Sequence, residues 1–282
     1  MSVIQERDNA YAAVTQVDGA VSEAEQQRLE QQAEVYSRLA GSTLDALGLA
    51  PGHRVLEVGC GGGPLLAAAA ARVGPTGRVV GIDRDPRLVE AAKTRVAHLP
   101  WVDVVQADAL GYEADETFDA VHCRLVLMHQ HAPDVFLAHM VALTRPGGRI
   151  AVQEYDLEGL PCFPAFGSFE RMMDAGLRAI NYVGSDLSAG RKLLDRFTRA
   201  ELGDVSLDAQ TPFVPFVDAR IEVVLDAFAV VGGIAERAAA MSATEYESLV
   251  DEVRAAHHDP LFANYLVRLP TLVAAVGMRA CD

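Results

Sequence analysis

The sequence predicts an α/β fold: a doubly wound, mostly parallel sheet, preceded by a helical arm and interrupted before its last strand by a helical cover. Three observations carry this. Short runs rich in β-branched residues alternate with helical segments between Arg54 and Val152, the pattern of βαβ units and of a parallel sheet covered on both faces. Glycine and proline punctuate the chain where strands hand over to helices. Beyond Leu160 the chain turns helical and aromatic, with eight of its ten phenylalanines.

Taken in order, Glu23 to Leu39 is polar with Leu29, Val35, Tyr36 and Leu39 on roughly one face and Ser22 in N-cap position, which predicts one amphipathic helix. A second short helix over Thr43–Leu47 stops at Gly48, ahead of Pro51-Gly52. Strands follow over Arg54–Val58, Arg78–Ile82, Val102–Ala107, Phe118–Cys123 and Arg149–Val152. Pro64 suits the first turn of the helix after strand one, Asp85-Pro86 reads as a cap with proline at the first helical position, and Arg145-Pro146-Gly147-Gly148 as a hard turn into strand five. Phe169, Met172, Met173, Gly176 and Ile180 have helical spacing, as do Ile221, Val224, Leu225 and Phe228; Ser242 to Glu245 forms a capping box. Val205–Ala209 and Leu272–Val276 read as two more strands. The expected organisation is an arm over residues 1–50, a core over 51–158, and a helical cover with the last two strands over 159–282.

The 282 residues are half apolar, and 24 Lys+Arg against 39 Asp+Glu leave a net charge of −15. Such a chain is repelled by phosphate backbones and anionic lipid, so nucleic acid and membranes are not expected partners. The densest basic stretch, Arg191, Lys192, Arg196 and Arg199, is diluted by Asp195 and Glu201. Charges at Glu6, Arg7 and Asp8 stand where a signal peptide needs an apolar core, and no apolar run approaches membrane-spanning length; a cytoplasmic location is expected. Cys60, Cys123, Cys162 and Cys281 show no CxxC spacing, which points to neither a disulfide framework nor a zinc site.

The stretch that carries chemistry is Val55-Leu-Glu-Val-Gly59-Cys-Gly61-Gly-Gly63, a strand running into glycines and then a helix. Glycine belongs where the backbone turns at positive φ and lets a ligand approach. The pattern is close to a dinucleotide fingerprint, but Pro64 takes the place of its third glycine. Asp83 closes strand two, about twenty residues after the glycine turn, where a carboxylate accepts ribose hydroxyls. Asp108 follows strand three and is positioned to accept an adenine amino group. Each acid alone reads as a cap or a solvated loop residue; together with the glycines they suggest a nucleoside site.

With these residues in place, the chain resembles the class I S-adenosylmethionine-dependent methyltransferases, in their bacterial small-molecule branch. The resemblance covers about Leu49 to Asp156: the Val55 to Gly63 loop, Gly81-Ile-Asp83-Arg84-Asp-Pro, Gln106-Ala-Asp108-Ala109-Leu, Phe118 to Arg124, and Leu143 to Ile150. Ala24 to Tyr36 also resembles that branch. It implies a seven-stranded sheet in the order 3-2-1-4-5-7-6 with strand seven antiparallel. It also implies S-adenosylmethionine as cofactor, with methionine over Gly59, Cys60 and Gly61, ribose on Asp83, and adenine against Asp108 and Ala109. Glu57 favours the cationic sulfonium, Arg84 is a further cofactor-binding candidate, and Arg124 is a candidate contact whose role stays open.

A ligand crevice is expected independently where chain order reverses, between strands one and four. Methyl transfer needs alignment and water exclusion more than acid–base help. The candidate general base is His129, with His131, Glu154, Tyr155 and Asp156 also at the crevice. His129 and His131 with Asp134 imitate a metal triad, but Cys123-Arg124 stands where metal-dependent members carry an acid, and no metal is expected. Gln32 and Tyr36, four apart, would share one helix face as a lid on the methionine end or as plain core cover. No Asn or Asp followed by Pro-Pro and an aromatic follows Phe118, which argues against nucleic-acid and protein amide substrates. The Phe- and Met-rich segment from Phe163 to Phe228 suits a hydrophobic small molecule, such as a secondary metabolite, and equally suits a core of its own. An amphipathic arm can also join copies of the chain into a homo-oligomer. A cofactor-holding cyclase and a nicotinamide-dependent oxidoreductase are the alternatives, the latter disfavoured by Pro64 and Glu57.

Overall fold

The computed structural model describes residues 16–17, 20–157 and 159–281. The chain divides into two compact units, one of residues 36–154, 189–209 and 272–282, the other of residues 1–35, 155–188 and 210–271. Among the described residues no helix is long and apolar enough to cross a membrane.

The first unit is built on a seven-stranded sheet: β1 (Arg54–Val58), β2 (Arg78–Asp83), β3 (Val102–Gln106), β4 (Phe118–Arg124), β5 (Thr144–Asp156), β6 (Gly203–Gln210) and β7 (Thr271–Met278). Their spatial order is β3-β2-β1-β4-β5-β7-β6, as the resemblance implies. Neighbours from β3 through β5 are parallel. At the far end of β7 the Gly147 N–H donates to the Arg279 carbonyl (3.0 Å) and the Arg279 N–H to the Gly148 carbonyl (2.9 Å). These reciprocal bonds join the start of β5 to the residue just past the end of β7, so β7 runs against β5.

Alternation along the strands sorts the apolar side chains into two layers. Leu56, Val58, Ile82, Val121, Cys123, Ile150 and Val152 pack with Phe136, Leu137 and Met140 of the Pro133–Leu143 helix and with Leu193 and Phe197. Val55, Val79, Ala120 and Ala151 pack with Leu44, Leu66, Ala70, Ala92 and Val96 from the Ser37–Ala46, Leu66–Val73 and Pro86–Val96 helices. Helices on both faces are what near-continuous apolar strands require.

Three expectations are corrected. The single helix over Glu23–Leu39 is two, Glu23–Val35 and Ser37–Ala46, broken at Tyr36 (φ −106°, ψ 17°). The break falls at the border between the units, and each helix serves its own: the second buries Leu39, Ala40, Thr43 and Leu44. Strand five begins at Thr144, so the Pro146-Gly147-Gly148 turn lies inside it. Phe118 pairs with Thr144 but Ala120 pairs with Arg149, so the intervening residues bulge out, with Gly147 at φ +70°. Pro64 precedes its helix, which starts at Leu66. The Asp85 cap on Arg87 and Leu88 and the Ser22 and Ser242 caps are as expected.

In the second unit, helices Glu23–Val35, Gly167–Tyr182, Glu222–Ala229, Gly232–Arg237 and Ala243–His257 share an aromatic core. A three-stranded sheet, Phe213–Pro215, Leu266–Arg268 and Cys162–Phe163 in that order, escaped the sequence reading because its strands are two or three residues long. Phe169 and Phe166 meet Phe216 edge to face at 5.6 and 5.7 Å. Much of the aromatic content is therefore this unit's own core. Gly176 is its tightest point: a Cβ there would stand 2.2 Å from Phe228 Cδ1 and 2.8 Å from the Tyr246 hydroxyl. Gly176→Ala is expected to lower stability by about 1–3 kcal/mol, read as a shifted denaturant midpoint at constant slope; an unchanged midpoint would contradict this packing.

Candidate functional site

Chain order reverses between β1 and β4, and the carboxyl ends of β1 to β4 frame the crevice that such a reversal opens. Its floor is the glycine loop. Gly59, Gly61 and Gly63 have φ of +67°, +56° and +74°, and their surroundings differ. A Cβ on Gly59 would stand 2.4 Å from Val126 Cγ2, and one on Gly63 would meet Leu66 and Ala92 at 3.0 and 3.1 Å. At Gly61 a Cβ would meet nothing within 4 Å, so the backbone there is bare.

The loop is held from one side by β2. The Cys60 N–H donates to the Ile82 carbonyl (2.9 Å), and the Gly61 N–H to Asp83 Oδ2 (2.8 Å). Asp83 Oδ1 accepts from the Asp85 N–H (2.9 Å). Half-buried, Asp83 is pushed above the usual carboxylate range by desolvation, against the pull of those two N–H groups. Each carboxylate oxygen keeps a second acceptor direction. Arg95 Nε donates to the Gly62 carbonyl (2.8 Å), a brace no spacing in the sequence announced. At the end of β3, the Ala107 N–H donates to the Asp83 carbonyl (2.9 Å), Asp108 is exposed with Oδ1 accepting from the Leu110 N–H (2.9 Å), and Ala109 packs on the apolar layer. The Arg84 side chain is exposed while its carbonyl accepts from Gln106 Nε2 (3.2 Å).

The opposite wall follows β4. Leu125 adopts φ +58°, a conformation unfavourable for a side-chain-bearing residue, with its N–H donating to the Gln153 carbonyl (2.8 Å). Glu154 Oε1 then accepts from the N–H groups of Val126 (3.0 Å) and Leu127 (2.6 Å). Glu154, an expected candidate base, is fully buried and anchors this loop instead. Tyr155 is buried and its hydroxyl accepts from Gln32 Nε2 (2.9 Å). His129 ends a short 3₁₀ turn, half-buried. Asp134 of the imitated metal triad is ion-paired with Arg196 and Arg199, and among the described residues no group of three or more His, Cys, Asp or Glu is arranged to hold a metal.

Behind the loop runs a buried polar row. Glu57 on β1 pairs in register with His122 on β4, and Arg124 with Gln153 on β5; Gln153 Nε2 donates to Thr43 Oγ1 at 2.6 Å. Burial pushes Glu57 up to about 8, with Asp83 adding to the shift and Arg124 opposing it. Burial and the Arg124 charge push His122 down to about 3. The Cys60 and Cys123 thiols are both raised by burial and stay protonated. A cation bound at the loop would relieve Glu57 and Asp83 together. Gln32 and Tyr36 do not share a helix face: Tyr36 is buried at the helix break, in the first unit, and Gln32 belongs to the second.

Residues 49–187 match the family model described as a methyltransferase domain. These residues carry a domain similar to the class I S-adenosylmethionine-dependent methyltransferases. The chain is 40% identical over 119 residues to an uncharacterised 37.1 kDa protein in transposon Tn4556 of Streptomyces fradiae, covering 42% of this chain and 34% of that one. It is 36% identical over 121 residues to demethylmenaquinone methyltransferase of Staphylococcus aureus, covering 42% and 49%. The chain thus spans half or less of the length of these relatives. In fold, the chain is similar to the [4+2]-cyclase SpnF, with a TM-score of 0.54 at 19% identity over 99% of this chain and 94% of that one.

Two outcomes follow. Glu57 is raised in the folded protein, so its contribution to stability is present below its unfolded value near 4.5 and lost as pH rises toward 8. Glu57→Gln in the ligand-free protein is therefore expected to flatten the fall in melting temperature between pH 5 and 8 and to melt higher than the parent at pH 8; a parallel pH profile would contradict the burial. Glu154→Ala strands two N–H groups and is expected to destabilise by about 2–5 kcal/mol in denaturant melts, where a change under 1 kcal/mol would deny it the anchoring role.

Proposed function

We propose that the chain transfers the methyl group of S-adenosylmethionine to a hydrophobic small molecule, a secondary metabolite, by in-line displacement at carbon. The observation that carries this reading is the bare backbone at Gly61 beside the raised carboxyls of Glu57 and Asp83, a cradle suited to a cation with no phosphate to neutralise. In this reading Gly59, Cys60 and Gly61 hold the methionine end with Glu57 and Arg124 behind them, Asp83 and Arg84 meet the ribose, and Asp108 and Ala109 meet the adenine.

Once bound, the cofactor supplies an already activated methyl on its sulfonium. The chain's own work is alignment and exclusion of water. Glu154 and Val126 fix the wall after β4, and Asp83 and Arg95 fix the loop. His129 takes the acceptor's proton when the nucleophile arrives protonated, a step typically worth about 10²–10⁴-fold. The apolar acceptor is supported by the net charge of −15 and by the matched relative named for methylating demethylmenaquinone. The reading includes a cytoplasmic location and no nucleic-acid or membrane partner; self-association through the arm is checked by sedimentation.

Calorimetry with S-adenosylmethionine on the full chain is expected to give one site per chain, weakened about tenfold or more by Asp83→Ala, with no heat from NADH. Incubation with labelled cofactor and apolar hydroxylated acceptors should then release S-adenosylhomocysteine. Tight cofactor binding with no transfer to any acceptor would favour the cyclase reading, and NADH binding alone would overturn both.

A further inference from the structure

The small sheet of the second unit is apolar on both faces. Cys162, Val267 and Val214 stand side by side in register and are buried in the aromatic core. Alternation along the strands turns their neighbours the other way. There Phe163 pairs with Leu266 and Leu266 with Pro215, while Phe213 pairs with Arg268 on the same face. Phe163 is 79% exposed, Phe213 59% and Leu266 44%, and Pro215 is exposed as well. Leu261, in the short turn that leads into the middle strand, is 80% exposed. A sheet with one face on a core ordinarily carries polar residues on the other.

At those exposures Phe163 and Phe213 alone leave roughly 200–350 Å² of aromatic surface in water, and contiguous apolar patches of this order mark interaction surfaces. With Leu266 and Pro215 added, this is the apolar centre expected of an interface that buries about 800 Å² on each partner. Charge narrows the partner. The chain carries 39 acidic residues, yet the three strands hold no carboxylate, and Asp218, three residues past Pro215, is paired with Arg220. The one charged side chain on the strands, Arg268, donates from Nη2 to the Gly159 carbonyl (3.0 Å). Copies of so acidic a chain repel one another, and a face without carboxylates is where that repulsion is least. We propose that two copies of the chain associate about a two-fold axis through this face, stacking one three-stranded sheet on the other. A two-fold contact sets the same patch against itself, so each carboxylate-free apolar row meets another, as in sheets that pack face to face about 10 Å apart. None of the arm's residues 1–50 takes part, and the association does not depend on the methyl-transfer reading.

Sedimentation equilibrium of the full chain at micromolar concentration is expected to give twice the mass of one chain. Phe163→Thr combined with Phe213→Thr should weaken the dimer at least about tenfold, and Leu266→Thr alone should weaken it as well. Threonine suits an exposed strand position, so at dilutions where all are monomeric both variants should melt no lower than the parent. A parent that stays monomeric up to about 100 µM would overturn the proposal. A dimer that survives both variants would overturn it in favour of another surface, such as the arm. A monomeric parent that floats with neutral phosphatidylcholine vesicles, where the double variant does not, would overturn it in favour of a lipid surface.

Discussion

The crevice depends on one close contact, the packing of Val126 over Gly59. A side chain of any size at position 59 would collide with Val126, so the floor after β1 and the wall after β4 are shaped against each other. Val126 stays there because Leu125 takes a left-handed turn and Glu154, from β5, accepts from the next two N–H groups. Three strand ends are thereby locked around the point where chain order reverses. The bare Gly61 backbone and the braced Asp83 carboxylate are arranged on that fixed frame, and rigid framing of this kind is what alignment-driven catalysis requires.

The electrostatics follow from the same burial. The sheet buries Glu57 and His122 beside the half-buried Arg124, and these two respond in opposite senses, each toward its neutral form. Burial favours the neutral form of Glu57, and a cation arriving beside it would favour the ionised one. The chain's overall acidity acts at longer range, disfavouring phosphate-rich partners. Local and global charge thus point toward the same kind of ligand.

Most of the first unit was legible in the sequence because its strands are continuous apolar runs bounded by glycine and proline. β1 matches residue for residue, and Asp85-Pro86 caps its helix as written. What stayed hidden depended on three-dimensional neighbours. Glu154 looked like a crevice acid until two N–H groups from another loop claimed it, and nothing in the sequence pointed to Arg95, which reaches the Gly62 carbonyl only in the fold. The Glu23–Leu39 stretch carried a helical period throughout, and nothing local marked Tyr36 as the break; the need to serve two different cores did. The glycines were read as ligand space, whereas Gly59 and Gly63 are glycine largely because protein atoms crowd them.

In the proposed function, the cofactor occupies the carboxyl edge between β1 and β4. Hydrogen–deuterium exchange on the full chain with and without S-adenosylhomocysteine tests it most directly. Protection confined to residues 59–63, 83–85, 107–110 and 124–129 is the predicted result. Protection elsewhere, with these four segments exchanging as before, would contradict the account.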